Sequence, residues 1–213
     1  MEIFQPGLNF SHLLREVVTF GGAFVPCAFH SEYLDFLLEE IESLEYGHYE
    51  SGEEAAVYEK HRDFRARIYQ TEAHIPRLRH LVEQLGWQVR LASVPQANNE
   101  CFYPDDINVW RYSDTSSAIG KHRDYSHDKF LIIGITVTGY CTLEYYGEDK
   151  NNPKPKLWQA GPGSLMILRG PGFCENDSRP FHAVNPPVNG ERISIVIRQD
   201  IRNIEGNSSG KDY

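Results

Sequence analysis

Two histidines and one aspartate have the residue types and the spacing that a transition-metal site needs. His122 and Asp124 are separated by one residue, and side chains at that spacing on an extended segment point to the same face. His182 follows later in the chain, after an apolar stretch and a glycine-rich turn. Two imidazoles and one carboxylate suit iron(II) and leave coordination positions open for other ligands. We therefore predict a metal site at His122, Asp124 and His182.

Two alternatives to this metal site remain open at the level of the sequence. A histidine and an aspartate two positions apart occur by chance in many proteins, so His122 and Asp124 could be a surface pair without a metal. His127 is a candidate ligand in its own right, but it follows His122 by five residues and would lie on the opposite face of a continuous strand. We therefore expect His127 beside the ligands or facing solvent.

The segment 192–198 predicts an anion site. Polar and apolar residues alternate along it, so one face carries Arg192, Ser194 and Arg198 and the other face carries three isoleucines. Two arginines that face the interior need an anion as compensation, and guanidinium groups pair well with carboxylates. A dicarboxylate cosubstrate would meet this need. The alternative is that the arginines face solvent while the isoleucines face the core.

Two amphipathic helices are predicted in the first part of the chain. Ser31 is a suitable N-cap, and apolar residues follow at helical spacing up to Leu44, with the intervening glutamates, Glu40 among them, on the solvent side. The second helix is expected over residues 76–86, with proline in its first turn and glycine at its end. Between the helices, the polar segment 46–70 is predicted as a hairpin or a mobile loop.

The chain beyond about residue 95 has the pattern of short strands separated by turns rich in proline, glycine and asparagine. The predicted strands are residues 107–112, 130–137, 141–146, 164–168 and 192–198. Regularly spaced short strands indicate a sandwich or a barrel. We expect an α+β fold in one structural domain. It would comprise a helical part with a candidate substrate lid, a β-barrel core and a flexible tail, over residues 1–95, 96–204 and 205–213.

The composition is that of a globular protein, and it restricts the partners. The chain has 213 residues, 40% of them hydrophobic, and a formal net charge of −9. Such an acidic chain is a poor candidate for tight, non-specific binding of nucleic acid, which depends on basic side chains. Its four cysteines form no CxxC pair, so a zinc ribbon is not supported. Because it has neither a leader-like start nor a long apolar run, we expect a cytoplasmic protein (nuclear in a eukaryote) with no membrane partner.

Four motifs, in this order, resemble the AlkB-like branch of the Fe(II)/2-oxoglutarate-dependent dioxygenases. They are similar to the family's RYxD…IGxHxD segment, its following strand pair, the strand before its distal histidine and its Rx5R strand. In this chain the four motifs begin at Arg111, Thr138, Gly163 and Arg192. The N-terminal half is similar to the family only in being helical, as the variable substrate lid of its members often is.

The resemblance implies a fold, a metal and a reaction. The fold would be a double-stranded β-helix (jelly-roll) barrel with N-terminal buttressing helices. It would bind one Fe(II) through His122, Asp124 and His182, and it would use O2 and 2-oxoglutarate as cosubstrates. The reaction would hydroxylate a C–H bond of the substrate and release succinate and CO2, which becomes oxidative demethylation when the carbon is bonded to nitrogen.

The resemblance also implies which residues bind 2-oxoglutarate. Arg192 would pair with the distal carboxylate, helped by the hydroxyl of Tyr112, and Arg198 would lie near the other end of the cosubstrate. Ser194 lies between the two arginines, where the family usually has asparagine, and Trp110 also replaces an asparagine. These two differences concern the details of the cosubstrate contacts.

The substrate is where the chain departs most from the family. Members that repair nucleic acids carry an acid two residues after the metal aspartate, where this chain has Ser126; the nearest acid is Asp128. We expect Tyr125, Ser126 and Asp128 near the substrate. The substrate would be a small molecule or a protein side chain, and the alternative is an N-alkylated base in single-stranded DNA or RNA. A third hypothesis is a non-catalytic binding module that has kept the jelly-roll fold.

Overall fold

The chain folds into eleven strands and four α-helices within the described residues of a computed structural model, which are residues 1–44, 46–48, 64–68, 75–112 and 118–204. The helices are α1 (Phe10–Phe20), α2 (Ser31–Glu42), α3 (Pro76–Leu91) and α4 (Ile201–Ile204), with a 3-10 turn at Asn99–Cys101. Among these residues, no helix has the length and apolar character that a membrane span requires. The last residue of the RYxD motif, Asp114, and the predicted tail 205–213 lie outside the described residues.

The strands form two antiparallel sheets. In chain order they are β1 (Gly22–Val25), β2 (Gly47–His48), β3 (Phe64–Ile68), β4 (Asp106–Tyr112), β5 (Ile119–His122), β6 (Asp128–Thr138), β7 (Cys141–Gly147), β8 (Lys156–Ala160), β9 (Leu165–Arg169), β10 (Phe181–Val184) and β11 (Arg192–Asp200). The large sheet has the order β1-β9-β6-β11-β4-β3-β2, and the small sheet has the order β5-β10-β7-β8. Apart from the consecutive pairs β2-β3, β3-β4 and β7-β8, neighbouring strands are far apart in sequence, as in a jelly roll.

The alternation of side chains along the strands produces two cores. On β11, Ile193, Ile195 and Ile197 join the core that the large sheet shares with the three long helices. The opposite face of the large sheet packs against the small sheet in a second core, which includes Trp110 from β4 and Leu143 from β7. The predicted α+β jelly roll with buttressing helices is confirmed, although the two sheets do not close into a continuous barrel.

The N-terminal part contains more than the two predicted helices. Helix α1 was not predicted, yet its start and end carry ordinary signals: the Asn9 side chain accepts a hydrogen bond from the backbone of His12 (3.0 Å), and Gly21 ends the helix at φ +84°. Strands β1 and β3 also lie in this part and complete the large sheet. Residues 1–95 and 96–204 therefore share one sheet and one core.

The two predicted helices lie where the sequence places them, but their first and last residues differ from the prediction. The N-cap of α2 is His30, so Ser31 is already helical. Helix α3 continues through Gly86 to Leu91, because its apolar stripe extends to Val89 in the core. In the segment 46–70, β2 and β3 pair as a hairpin. The residues between these two strands lie outside the described part, and the candidate substrate lid within residues 1–95 stays a prediction.

Glu40 is an exception to the predicted solvent-facing side of α2. It is only 8% exposed, and its two carboxylate oxygens accept hydrogen bonds from the backbone nitrogens of Arg77 (3.0 Å) and Leu78 (2.8 Å). These amides belong to the first turn of α3, which has no side-chain cap of its own. A carboxylate at a helix N-terminus satisfies free N–H groups and compensates the helix dipole. Glu40 therefore caps α3 from a neighbouring helix.

Replacing Glu40 by alanine is expected to lower the free energy of unfolding by about 1–2 kcal/mol, the usual cost of losing a helix cap. Urea denaturation at neutral pH measures this difference. The matched control is Glu39→Ala, because Glu39 is exposed and pairs only loosely with Arg77 (3.7 Å). Equal, small effects of the two substitutions would show that the cap contributes little.

Candidate active site

The three predicted metal ligands lie together at the edge of the small sheet. His122 on β5 and His182 on β10 are direct cross-strand partners, and their ring centroids are 4.2 Å apart. Strand β5 ends at His122, so Asp124 lies in the turn that follows, with its Oδ2 atom 3.4 Å from Nε2 of His182. One ligand atom from each residue lies within 4.8 Å of the other two. A single metal ion can therefore contact all three.

Backbone carbonyls orient the two imidazole rings. Nδ1 of His122 lies 2.8 Å from the carbonyl oxygen of Gly120, and Nδ1 of His182 lies 3.4 Å from that of Pro180. A carbonyl oxygen can only accept a hydrogen bond, so each Nδ1 carries the proton and each Nε2 is left to bind a metal. Metal-binding histidines commonly donate their second ring nitrogen to such a partner.

The charge states of His122 and Asp124 also suit a metal. Burial, together with the neighbouring His182, lowers the pKa of His122 to about 4, so its imidazole is neutral at neutral pH. Burial alone would raise the pKa of Asp124, but the neighbouring His182 and Arg198 outweigh it and lower that pKa to about 2. A neutral imidazole and an ionised carboxylate are the forms that bind metals.

Arg198 is surrounded by carboxylates. Its Nη2 atom donates to Oδ1 of Asp124 (3.1 Å), its Nε atom lies 3.4 Å from Asp128, and its Nη1 atom lies 3.8 Å from Asp106. These charges raise the pKa of Arg198, although burial alone would lower it. Arg198 also lines the cavity that contains His122, Asp124 and His182. The hydrogen bond from Arg198 occupies Oδ1 of Asp124, while Oδ2 of Asp124 faces His182.

The three residues predicted to lie near the substrate occupy different environments. Tyr125 and Ser126 are exposed in the turn after Asp124, and the Tyr125 ring stacks on that of His127 at 4.8 Å. Asp128 is only 3% exposed and faces Arg198, and it does not line the cavity. His127 lies in the same turn, so the continuous strand assumed for it does not exist.

Asp128 carries a pH dependence of stability. Burial, reinforced by the charge of Asp124 and only partly offset by Arg198, raises its pKa from 3.8 to about 7. Between these two values the unfolded chain gives up a proton that the folded chain keeps. The folded state therefore loses stability as the pH rises from about 4 to 7.

Asp128→Asn is expected to remove this pH dependence. Relative to the wild type, the metal-free variant should gain roughly 1–3 kcal/mol of stability at pH 8, because no poorly compensated carboxylate is buried. Near pH 4 the two proteins should differ little. Urea denaturation at both pH values measures this. A variant that is less stable than the wild type at pH 8 would mean that the ion pair with Arg198 outweighs burial.

A second group of ligand-type residues, His127, Asp128 and Asp200, lies beside the first. Its carboxylates already have cationic partners: Asp128 faces Arg198 at 3.4 Å, and Asp200 pairs with Arg202 at 2.5 Å. A metal ion would have to approach two guanidinium groups. We interpret this group as an ion-pair network that supports the end of β11.

The other end of β11 presents Arg192 to the same cavity. Arg198 follows Arg192 by six positions along the strand, or roughly 20 Å of backbone. Arg192 is 5% exposed, its guanidinium lies 5.0 Å from the centre of the Tyr112 ring, and its Nη2 atom donates to Oγ1 of Thr136 (3.0 Å). Among the described residues, its buried Nε and Nη1 atoms have no hydrogen-bond partner. Since a buried, uncompensated charge is costly, Arg192 fits a carboxylate ligand.

The cavity joins the metal ligands to Arg192. Its volume is about 60 Å³, several times what one water molecule needs. The face of β11 that carries Arg192, Ser194, Val196 and Arg198 lines this cavity. The other lining residues are Trp110, Tyr112, Ile119, His122, Asp124, Ile132, Gly134, Thr136, Leu143, Ser164, Met166, His182 and Val184. A mostly apolar chamber with a candidate metal site and a buried cation suits a small dicarboxylate.

Thr136 is the cavity residue that sequence reasoning missed. It lies in the predicted apolar strand 130–137. Its residues divide between two faces: Ile133 and Ile135 enter the helical core, while Gly134 and Thr136 line the cavity. The small glycine and the polar threonine at alternating positions were the available signal.

The fold has counterparts among solved structures. A prolyl hydroxylase from Trichoplax adhaerens superposes with a TM-score of 0.65 at 15% identity, over 93% of this chain and 92% of that one. A 2OG-Fe(II) oxygenase family oxidoreductase from Burkholderia pseudomallei gives 0.61 at 13% identity, over 90% and 91%. This chain has the fold of the 2OG-Fe(II) oxygenases.

The AlkB-like resemblance has a structural counterpart too. OsALKBH1 superposes with a TM-score of 0.56 at 14% identity, over 84% of this chain and 96% of that one. The prolyl hydroxylase superposes better, so the 2OG-Fe(II) oxygenase fold is better supported than the AlkB-like branch. No protein-family model and no curated protein sequence matches the chain.

Proposed function

We propose that this protein is a Fe(II)- and 2-oxoglutarate-dependent dioxygenase. The observation that carries the proposal is the joint placement, in one cavity, of a convergent His122, Asp124 and His182 and of a buried Arg192 with unpartnered guanidinium nitrogens. Neither feature alone is specific. Together they supply the metal ligands and the anion site that this cosubstrate chemistry needs.

Six polar residues of the cavity have a role in this proposal. His122, Asp124 and His182 would hold Fe(II), which together with 2-oxoglutarate and O2 supplies the oxidising power for C–H hydroxylation. Arg192 would bind the distal carboxylate of 2-oxoglutarate, and Tyr112 and Thr136 hold the guanidinium in place. The apolar residues between them would exclude water from the reacting atoms.

For the substrate, we propose a C–H bond of a small molecule or of a protein side chain. Three features support this choice: Ser126 replaces the acid of the nucleic-acid repair members, the nearby Asp128 is buried against Arg198, and the chain carries a net charge of −9. The Trichoplax adhaerens prolyl hydroxylase was solved in complex with a peptide fragment of a hypoxia inducible factor, which gives a precedent on this fold for a protein side chain.

Oxidative demethylation of an N-alkylated base is the second candidate. The AlkB-like motifs and the structural likeness to OsALKBH1 favour it. A non-catalytic binding module is the third, and it is disfavoured because the complete set of metal ligands is present.

Succinate formation from 2-oxoglutarate tests the proposal. The protein is incubated with Fe(II), ascorbate and 2-oxoglutarate, with and without a single-stranded oligonucleotide that carries 1-methyladenine, and Asp124→Ala is the blank. Slow succinate formation at the same rate with and without the oligonucleotide supports the dioxygenase. It directs the search for the substrate to small molecules and proteins.

Two other outcomes would change the proposal. Succinate that rises with the methylated strand, together with loss of the methyl group, would establish the nucleic-acid demethylase instead. No succinate above the Asp124→Ala blank would contradict the dioxygenase and favour the binding module.

A further inference from the structure

Glu148, which directly follows β7, contacts the segment that carries two of the three metal ligands. Its backbone oxygen accepts a hydrogen bond from Nη2 of Arg123 (3.3 Å). Arg123 is the residue between His122 and Asp124. The Arg123 guanidinium also lies 3.9 Å from the centre of the ring of Phe181, the residue before His182.

The carboxylate of Glu148 contacts the segment that leads to the third ligand. Its Oε1 atom accepts hydrogen bonds from Nδ2 of Asn176 (2.8 Å), from Nη2 of Arg169 (2.6 Å) and from the hydroxyl of Ser178. The hydrogen bonds from Ser178 and Asn176 lower the pKa of Glu148, so the carboxylate is charged at neutral pH. His182 follows Ser178 by four residues.

Arg169 anchors this contact in the interior. Its side chain is fully buried, and its Nε and Nη1 atoms donate to the backbone oxygens of Ser178 (2.9 Å) and Val18 (3.1 Å). Beyond Ser178, Arg179 donates to the backbone oxygen of Asp124, and the carbonyl of Pro180 faces Nδ1 of His182. The loop before β10 is thus tied to the core at one end and to two metal ligands at the other.

We infer that Glu148 is a positioning residue for the metal site, which couples the segment of His122 and Asp124 to the segment of His182. The inference rests on the proposed function, since it concerns the same metal. Glu148 does not line the cavity, so it would act only through the ligands. Ligands must be held within about 0.5 Å of their working positions, and the partners that orient them commonly contribute 10- to 100-fold in metal affinity.

Metal binding by the full-length, metal-free protein tests this inference, with Co(II) alone as the probe. Glu148→Gln keeps the side-chain shape and removes the charge. Ser178→Ala removes one contact of Oε1 and one acceptor of Nη2 of Arg169, which stays paired with Glu148. The control is Asp149→Asn. Among the hydrogen bonds of the described residues, the Asp149 carboxylate accepts only one, from the backbone nitrogen of Asn151 (2.8 Å). For each protein, three quantities are measured: the dissociation constant for Co(II), the visible absorption spectrum of bound Co(II) and the melting temperature of the metal-free protein.

We expect Glu148→Gln to weaken Co(II) binding about 10-fold or more and to alter the spectrum, with a smaller effect in the same direction for Ser178→Ala. Asp149→Asn should match the wild type. If Glu148→Gln and Ser178→Ala both bind Co(II) within twofold of the wild type and with an unchanged spectrum, the inference is wrong. This holds even if their melting temperatures fall. Wild-type protein that binds no Co(II), or a His122→Ala variant that binds it equally well, would instead refute the metal site itself.

Discussion

Asp124→Ala is expected to abolish turnover and to lower Fe(II) affinity by more than about 100-fold. The carboxylate is the only anionic member of the predicted ligand set, and removing even an outer partner of a ligand commonly costs 10- to 100-fold. The fold should survive, because Arg198 keeps its ion pairs with Asp128 and Asp106. Fe(II) binding and succinate formation are measured on the same preparations.

The matched control for this substitution is Asp106→Asn. Asp106 also pairs with Arg198 but contributes no atom to the metal site, so the variant separates loss of the ligand from loss of the ion pair. It should keep most of the Fe(II) affinity. Succinate formation that survives in Asp124→Ala would overturn the assignment of the metal ligands.

Arg192→Met is expected to raise the 2-oxoglutarate concentration for half-maximal succinate formation by about 30-fold or more. Removing one partner of a buried, hydrogen-bonded charge pair costs roughly 2–5 kcal/mol, and every 1.4 kcal/mol is tenfold. Thr136→Val removes only the hydroxyl that accepts from Nη2 of Arg192. Its effect should therefore be smaller and in the same direction.

Arg192→Met is not expected to lower the stability of the protein without ligands. Because Arg192 is buried with two unpartnered nitrogens, methionine of similar volume should leave the metal-free protein at least as stable as the wild type. Addition of 2-oxoglutarate and a metal should then raise the melting temperature of the wild type and not that of the variant.

Arg111→Met is the control for Arg192→Met, because Arg111 pairs with Glu191 (2.7 Å) and does not line the cavity. It should not change the requirement for 2-oxoglutarate. An unchanged requirement in Arg192→Met would mean that another cation of the cavity binds the cosubstrate, and Arg198 would be the next residue to replace.

The sequence by itself determined the ligand types and the faces of the strands. His122 and Asp124 are close in the chain, so a local turn is enough to bring them together. The alternation along β11 places Arg192 and Arg198 on one face in any extended conformation, whatever the strand packs against. Local rules of this kind also predicted α2, α3 and the five main strands.

Only the tertiary structure decided which partners these residues meet. The cap that Glu40 provides for α3, the crowding of Asp106, Asp124 and Asp128 around Arg198, and the contacts of Glu148 all join segments that are far apart in the chain. Nothing in the local pattern distinguishes Asp128, which is buried, from an exposed aspartate in a turn. Burial and charge pairing depend on which elements pack together, and that depends on the whole chain.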